Sequence, residues 1–213
     1  MVEPLFQIFE CSNENCRLRM PSDLSVKKLF NCPFCSSEMQ PVGSPFGNYH
    51  PARNAGNHNN FSLLLDNLRS TENVGSIFRS ADGAGVSHIY CCGTTPTAKH
   101  PKVKKASLGA ELTVSTSYHH NSLVLAAELR AAHALIIALE STPESTSLFD
   151  FAFSSNSQQE TILVIGNEIS GIDPQLLSLA DHVVHLPMAG NKTSLNAAVA
   201  AGIALYHLVF QNK

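Results

Sequence analysis

The sequence predicts an α/β layered domain with a mostly parallel sheet, preceded by a small metal-binding module. Three observations predict it. From Phe61 onward, short aliphatic runs alternate with stretches whose apolar residues recur every three or four positions, as when helices connect parallel strands. Ahead of them, residues 1–40 hold four of the six cysteines, arranged as two close pairs. Between the two lies a stretch from Pro41 to Asn60, rich in Pro, Gly, Asn and His, whose composition supports no packed element. The expected organisation is a zinc-binding module over 1–40, a linker over 41–60 and the α/β domain over 61–213.

Each element of that domain has its own reason. Residues 61–65 are a short apolar run that reads as a buried strand. Residues 73–83 read as a helix, with Val74, Ile77, Phe78 and Ala81 at helical spacing. Residues 88–92 are the next strand, and 99–112 a basic, glycine-containing loop or irregular segment. A helix over 123–132 and a strand over 134–139 follow, then a mostly polar connection over 141–159. Residues 161–165 form a continuous aliphatic strand and 183–186 another. The last element, 193–210, is a helix on which Leu195, Ala198, Val199, Gly202, Ile203 and Tyr206 recur at intervals of three and four.

Composition bounds the partners. With 213 residues, 44% of them hydrophobic, the chain suits one well-packed domain plus something small. Only 15% are charged, against about 25% in a typical globular protein, which favours surface hidden by self-association. The net charge of −3 announces no nucleic-acid binder, so an RNA partner requires a local basic patch. The most apolar stretch, 195–210, is interrupted by Asn196 and His207 and falls short of the roughly 20 residues of a membrane span. Residues 1–10 lack the basic head and apolar core of a signal peptide. A cytoplasmic protein is expected, in which thiols stay reduced and the cysteines serve something other than disulfides.

Cys11-x4-Cys16 and Cys32-Pro33-Phe34-Cys35 are separated by fifteen residues. A zinc ion takes four soft or borderline ligands in a tetrahedron, and paired thiolates on tight turns supply two each. A segment of some 40 residues builds little core, so the metal would supply its folding energy. A redox dithiol at Cys32 and Cys35 is the alternative. Cys91 and Cys92 fall in a predicted strand and read as small core residues.

Three segments carry candidate chemistry. In the first, running from Asn73 to Gly85, Arg79 sits in an otherwise apolar helix, where a phosphate or carboxylate is its natural partner. In the second, Gly166-Asn167-Glu168-Ile169-Ser170-Gly171, a buried strand ends in glycines and polar groups, where ligands of open α/β sheets lie. Gly166 allows close approach to the backbone, and Glu168 can orient a polar group or take a proton. In the third, from Leu186 to Asn196, Thr193 or Ser194 can cap the last helix, and Asn196 places an amide in apolar surroundings.

In order, Asn73-x5-Arg79, Gly166-Asn167-Glu168-x2-Gly171 and Leu186-Pro187-Met188-x-Gly190-x3-Ser194-Leu195-Asn196 resemble the three motifs of the SpoU/TrmH family of SPOUT RNA methyltransferases. The resemblance spans about 61–210. It implies a SPOUT-type α/β domain with a C-terminal deep trefoil knot, working as a homodimer with the active site near the subunit interface. It implies S-adenosylmethionine as cofactor, with Gly166, Leu186 and Leu195 lining its pocket, and methyl transfer to a ribose 2′-hydroxyl of tRNA or rRNA. Arg79 matches the catalytic arginine. Because an arginine is normally always charged, positioning and charge stabilisation suit it better than the role of a base. Asn73, Glu168, Ser194 and Asn196 match the remaining polar motif residues.

Lys99, Lys102, Lys104 and Lys105 are the one dense basic cluster, expected on a loop and assigned to RNA phosphates. Ala197-Ala198 departs mildly from the family's pattern, and the cysteine module stands where many relatives carry a different extension. An open Rossmann methyltransferase wants a glycine-rich turn directly after its first strand, and Asp82-Gly-Ala-Gly85 lies at a helix end instead. A catalytically silent RNA-binding protein of the same knotted fold is the alternative; the presence of Arg79, Ser194 and Asn196 favours activity. A zinc hydrolase is disfavoured because four cysteine ligands leave no open coordination position.

Overall fold

A computed structural model describes residues 5–25, 31–47, 59–152 and 159–211. The chain divides into two compact units, Met1–Ala55 and Gly56–Lys213.

The first unit is an antiparallel sheet of β1 (Leu5–Cys11), β2 (Arg19–Asp23) and β3 (Met39–Gly47), in the order β2-β1-β3. Alternate residues of β1 point inward, so Gln7, Phe9 and Cys11 are buried. β3 runs seven residues into the stretch expected to be linker. It can do so because β1 offers ladder partners along its whole length, from Cys11 opposite Met39 to Leu5 opposite Gly47. Pro41 and Pro45 are tolerated because β3 is an edge strand. At the bulge between Phe6 and Ile8, Gln7 Nε2 donates to the carbonyls of Val42 and Gly43 at 3.0 and 2.9 Å. The rest of the expected linker lies outside the described residues, apart from Asn59 and Asn60, which already belong to the next strand.

The second unit begins with β4 (Asn59–Asp66), α1 (Thr71–Ala84), β5 (Val86–Cys92) and α2 (Pro101–Ser107). It continues through β6 (Ser115–His119), α3 (Ser122–Ala131), β7 (Leu135–Leu139) and the short β8 (Thr146–Ser147). β9 (Thr161–Ile165), α4 (Pro174–Ser178), β10 (His182–His185) and α5 (Ala197–Phe210) complete it. The seven strands pair in parallel, in the order β6-β5-β4-β9-β7-β10-β8. β9 arrives late in the chain yet lies in the middle, between β4 and β7. Its five residues are all buried, which is why it reads as an unbroken apolar run. On one face Leu63, Leu65, Leu163 and Ile165 pack with α1 and α5; on the other Leu64, Ile136, Ile162 and Val164 pack with α3 and α4.

Three expectations for this unit are corrected. Residues 99–112 are not a loop: they contain α2 and a 3-10 turn at Ala110–Leu112. His100 caps α2 by accepting from Lys102 N at 3.2 Å, Pro101 starts it, and buried Val103 anchors it. α1 can approach because Gly75 has no side chain; a Cβ there would clash with the Ala106 side chain. β6 was not expected, since its sequence Ser-Thr-Ser-Tyr-His is polar, as an exposed edge strand permits. The last helix starts at Ala197, four residues later than the spacing suggests, because the Asn196 side chain caps it by accepting from Ala198 N and Val199 N at 2.9 and 3.3 Å. Neither Thr193 nor Ser194 plays that part. Among the described residues, no helix is long and apolar enough to cross a membrane.

Candidate active site

The carboxyl ends of β7, β9 and β10 converge with the start of α5 on a cleft of about 390 Å³. This is where ligands of open α/β sheets sit. Its walls mix apolar groups (Leu139, Ile165, Leu186, Leu195) with polar ones (Asn73, Glu140, Glu168, Ser194, Asn196).

The loop after β9 closes on itself. Asn167 and Gly171 exchange two backbone hydrogen bonds at 3.0 Å, and the Asn167 side chain accepts from Ile169 N and Ser170 N at 2.9 and 3.1 Å. Its amide donates to the Asn67 carbonyl beyond β4 at 2.6 Å. A Cβ on Gly166 would lie 2.5 Å from both the Gly171 carbonyl carbon and Ile172 N. The glycine there thus lets the loop fold back on its own backbone, a tighter requirement than ligand approach alone.

Glu168 leaves this loop toward the first turn of α1. Its carboxylate accepts from Arg69 N at 2.9 Å and from Ser70 N and Asn73 Nδ2 at 3.0 Å. Asn73 Oδ1 in turn accepts from Asn196 Nδ2 at 2.9 Å. Partial burial works against ionisation of Glu168, but these N–H donors outweigh it and hold the carboxyl below its ordinary value. A Glu168–Asn73–Asn196 relay therefore ties together β9, α1 and α5, the three segments singled out in the sequence.

Arg79 is outside this cleft. It is exposed on α1, in a second, open groove between α1 and α5 that it shares with Glu72, Ser76, Val199 and Tyr206. Asn73 and Asn196 line both. Among the described residues Arg79 makes no ion pair, so its guanidinium is available to an external anion. Gly166, Leu186 and Leu195 all line the cleft, as does Ser194. Lys99, Lys102, Lys104 and Lys105 are exposed at and before α2 and do not line it. Glu140 and Asn167 also line the cleft and were not among the candidate residues.

In the N-terminal unit the four thiols of Cys11, Cys16, Cys32 and Cys35 lie within 4.8 Å of one another. The short contacts cross between pairs, Cys11 to Cys35 at 3.4 Å and Cys16 to Cys32 at 3.7 Å. A zinc ion with bonds of about 2.3 Å separates tetrahedral sulfurs by roughly 3.8 Å, so the donor set fits. Both turns share a construction. Arg17 and Ser36, each directly after the second cysteine of its pair, are left-handed at φ 48° and 61°. Burial pushes the Cys11 thiol up to about 12, whereas hydrogen bonds from the Ser37 hydroxyl and N–H bring Cys35 down to about 6. Contacts that cross between pairs suit a four-ligand site better than an isolated Cys32–Cys35 dithiol.

Residues 60–206 match the model of the SpoU rRNA Methylase family, and the chain belongs to that family. Among its relatives is the 23S rRNA (uridine(2479)-2'-O)-methyltransferase of Streptomyces viridochromogenes, 36% identical over 153 residues, covering 70% of this chain and 52% of the relative. The 23S rRNA (guanosine(2553)-2'-O)-methyltransferase RlmP of Bacillus subtilis is 30% identical, covering 68% and 56%. The chain spans about half the length of these curated relatives. Among solved structures, the SpoU methyltransferase AviRb from Streptomyces viridochromogenes in complex with the cofactor AdoMet superposes with a TM-score of 0.62 at 29% identity, covering 84% of this chain and 70% of that one. The TrmH/SpoU tRNA modifying enzyme of A. aeolicus gives 0.64 at 27%, covering 72% and 75%.

Proposed function

We propose that this protein transfers a methyl group from S-adenosylmethionine to a ribose 2′-hydroxyl of tRNA or rRNA. One observation carries the reading: the relay from Glu168 through Asn73 to Asn196 joins the three motif segments and leaves Arg79 beside the same two asparagines. The names of the relatives and the cofactor bound in AviRb support the chemistry.

The cleft suits the cofactor, being of ligand size and walled by both apolar and polar groups. Gly166, Leu186 and Leu195 would hold it there, and bound S-adenosylmethionine supplies an electrophilic methyl group. The ribose hydroxyl must lose its proton as it attacks. Arg79, which makes no ion pair among the described residues, positions the substrate through an RNA phosphate and offsets the developing negative charge. Asn73, Glu168 and Asn196 fix α1 and α5 relative to the loop, and Ser194 forms part of the cleft wall.

The proposal extends to assembly. Leu195 just before α5, with Val199, Ile203, Tyr206 and Phe210 along it, are 37–51% exposed, an apolar face suited to a second copy, so the protein acts as a homodimer. A face of this kind beside Arg79 brings the subunit interface to the active site. The trefoil knot belongs to the same reading, supported by the central, late β9 and the packing of α5 on α1. Lys99, Lys102, Lys104 and Lys105 offer phosphates a local positive surface. The cysteine module holds structural zinc in the reducing cytoplasm and folds apart from the methyltransferase domain that follows it.

The test is to incubate the purified protein with labelled S-adenosylmethionine and separate tRNA and rRNA fractions, then identify the methylated nucleoside by mass spectrometry. A 2′-O-methylnucleoside from one fraction is the expected result. Cofactor binding without transfer to any RNA would favour the silent RNA-binding protein.

A further inference from the structure

Glu140 follows β7 on the cleft wall and belongs to none of the three motif segments. Its carboxylate is fixed in place: Oε2 accepts from Ile172 N and Oε1 from Ser141 N, both at 3.0 Å. Gly171, left-handed at φ 73°, makes room for it, since a Cβ there would strike Oε2. Each carboxylate oxygen accepts about two hydrogen bonds, so both retain capacity toward the cleft.

The other ionisable groups on the wall are Glu168, whose Oε1 accepts from Ser70 and Asn73 and whose Oε2 accepts from Arg69, and His185, whose Nδ1 meets Ser145 Oγ at 2.9 Å. Among the described residues, no lysine or arginine lines the cleft. These residues therefore present two carboxylates and no fixed cation to whatever binds there.

We infer that Glu140 is a specificity determinant that favours the cationic sulfonium of S-adenosylmethionine over the neutral thioether of S-adenosylhomocysteine. The inference rests on reading the cleft as the cofactor site. In the reaction the carbon–sulfur bond to the methyl group breaks, its electron pair stays on sulfur, the ribose oxygen gains the methyl group and releases a proton. The ligand thereby loses one positive charge. A carboxylate on the wall then holds the product less tightly than the substrate and assists its exit.

At intermediate effective dielectric, one carboxylate facing a ligand-sized cleft is worth a preference of about 3- to 10-fold in affinity.

Calorimetry on the full chain tests this with S-adenosylmethionine, its cationic amine analogue sinefungin and S-adenosylhomocysteine. Glu140→Gln should lower the affinity of both cationic ligands relative to S-adenosylhomocysteine by about 3- to 10-fold. Glu140→Asp, which keeps the charge, should leave the ratio near the wild-type value. In the wild type, raising salt from about 50 to about 500 mM should weaken S-adenosylmethionine more than S-adenosylhomocysteine. This series decides the matter if Glu140→Gln does not fold. An unchanged ratio in Glu140→Gln, or in its absence a salt-independent wild-type ratio, overturns the inference and leaves the cofactor assignment standing. Wild-type protein that binds none of the three ligands overturns both.

Discussion

The N-terminal unit has a buried cluster of Phe9, Cys11, Cys32 and Met39, whereas the larger unit buries both faces of a seven-stranded sheet. Two of those four residues are themselves metal-ligand candidates, so the small unit's core and its proposed site are one and the same. In the larger unit the two are separate. Hydrophobic layers hold the sheet, and the cleft at its carboxyl edge is free to be polar and open. The difference teaches where each unit is vulnerable: one through its ligand, the other through its packing.

The largest effect follows from removing zinc. Metal binding in small zinc modules is worth about 10–16 kcal/mol, far beyond what so small a core provides. Chelation, or Cys32→Ser, should abolish stoichiometric zinc content and unfold β1, β2 and β3, while amide exchange in β4, β7 and β9 stays slow. Protection of β1 that survives chelation would break the comparison.

Arg79→Ala sharpens it from the other side. The residue is exposed, so thermal stability and cofactor affinity should hold while methyl transfer falls by about 10²–10³-fold. Equal loss of cofactor binding would mean that the groove and the cleft do not divide the work as proposed.

Asn196→Ala should cost about 1 kcal/mol from the lost helix cap, read by denaturant unfolding. Asn196→Asp keeps an acceptor for Ala198 N and Val199 N but cannot donate to Asn73. It should recover most of the stability and little of the activity. A variant that recovers both would remove Asn196 from the relay.

The smallest effect is acid sensitivity at Glu168. Its folded-state pKa lies below the ordinary value, so its contribution to stability is complete above the unfolded pKa and fades as pH falls through the folded one. The group is largely exposed, and screening keeps the contribution small. Glu168→Gln should flatten the decline of Tm with falling pH through the acidic range. An identical slope in both proteins would show that the hydrogen bonds add nothing.

Much of this was legible before the structure, for reasons that differ by element. β4, β7 and β9 announce themselves because burial on both faces demands unbroken apolar runs. The cysteine pairs, and the polar residues Asn73, Glu168 and Asn196 at the ends of apolar segments, stand out for the same reason: each is unusual where it lies. What stayed hidden lacked such contrast. β6 is polar because it is an edge, β3 carries prolines because it is an edge, and α2 presents three lysines outward with Val103 and Ser107 buried. Glu140 has no local signal at all. Only the placement of β7 beside β9 brings it to Gly171 and the cleft.

The measurement that bears most directly on methyl transfer to ribose is alkaline cleavage of the product RNA. A 2′-O-methyl group removes the hydroxyl that attacks the adjacent phosphodiester. RNA treated with the protein and S-adenosylmethionine should therefore lose one rung of its alkaline ladder, and Arg79→Ala should leave the ladder complete. Methyl incorporation with an intact ladder would place the methyl group on a base and contradict the account.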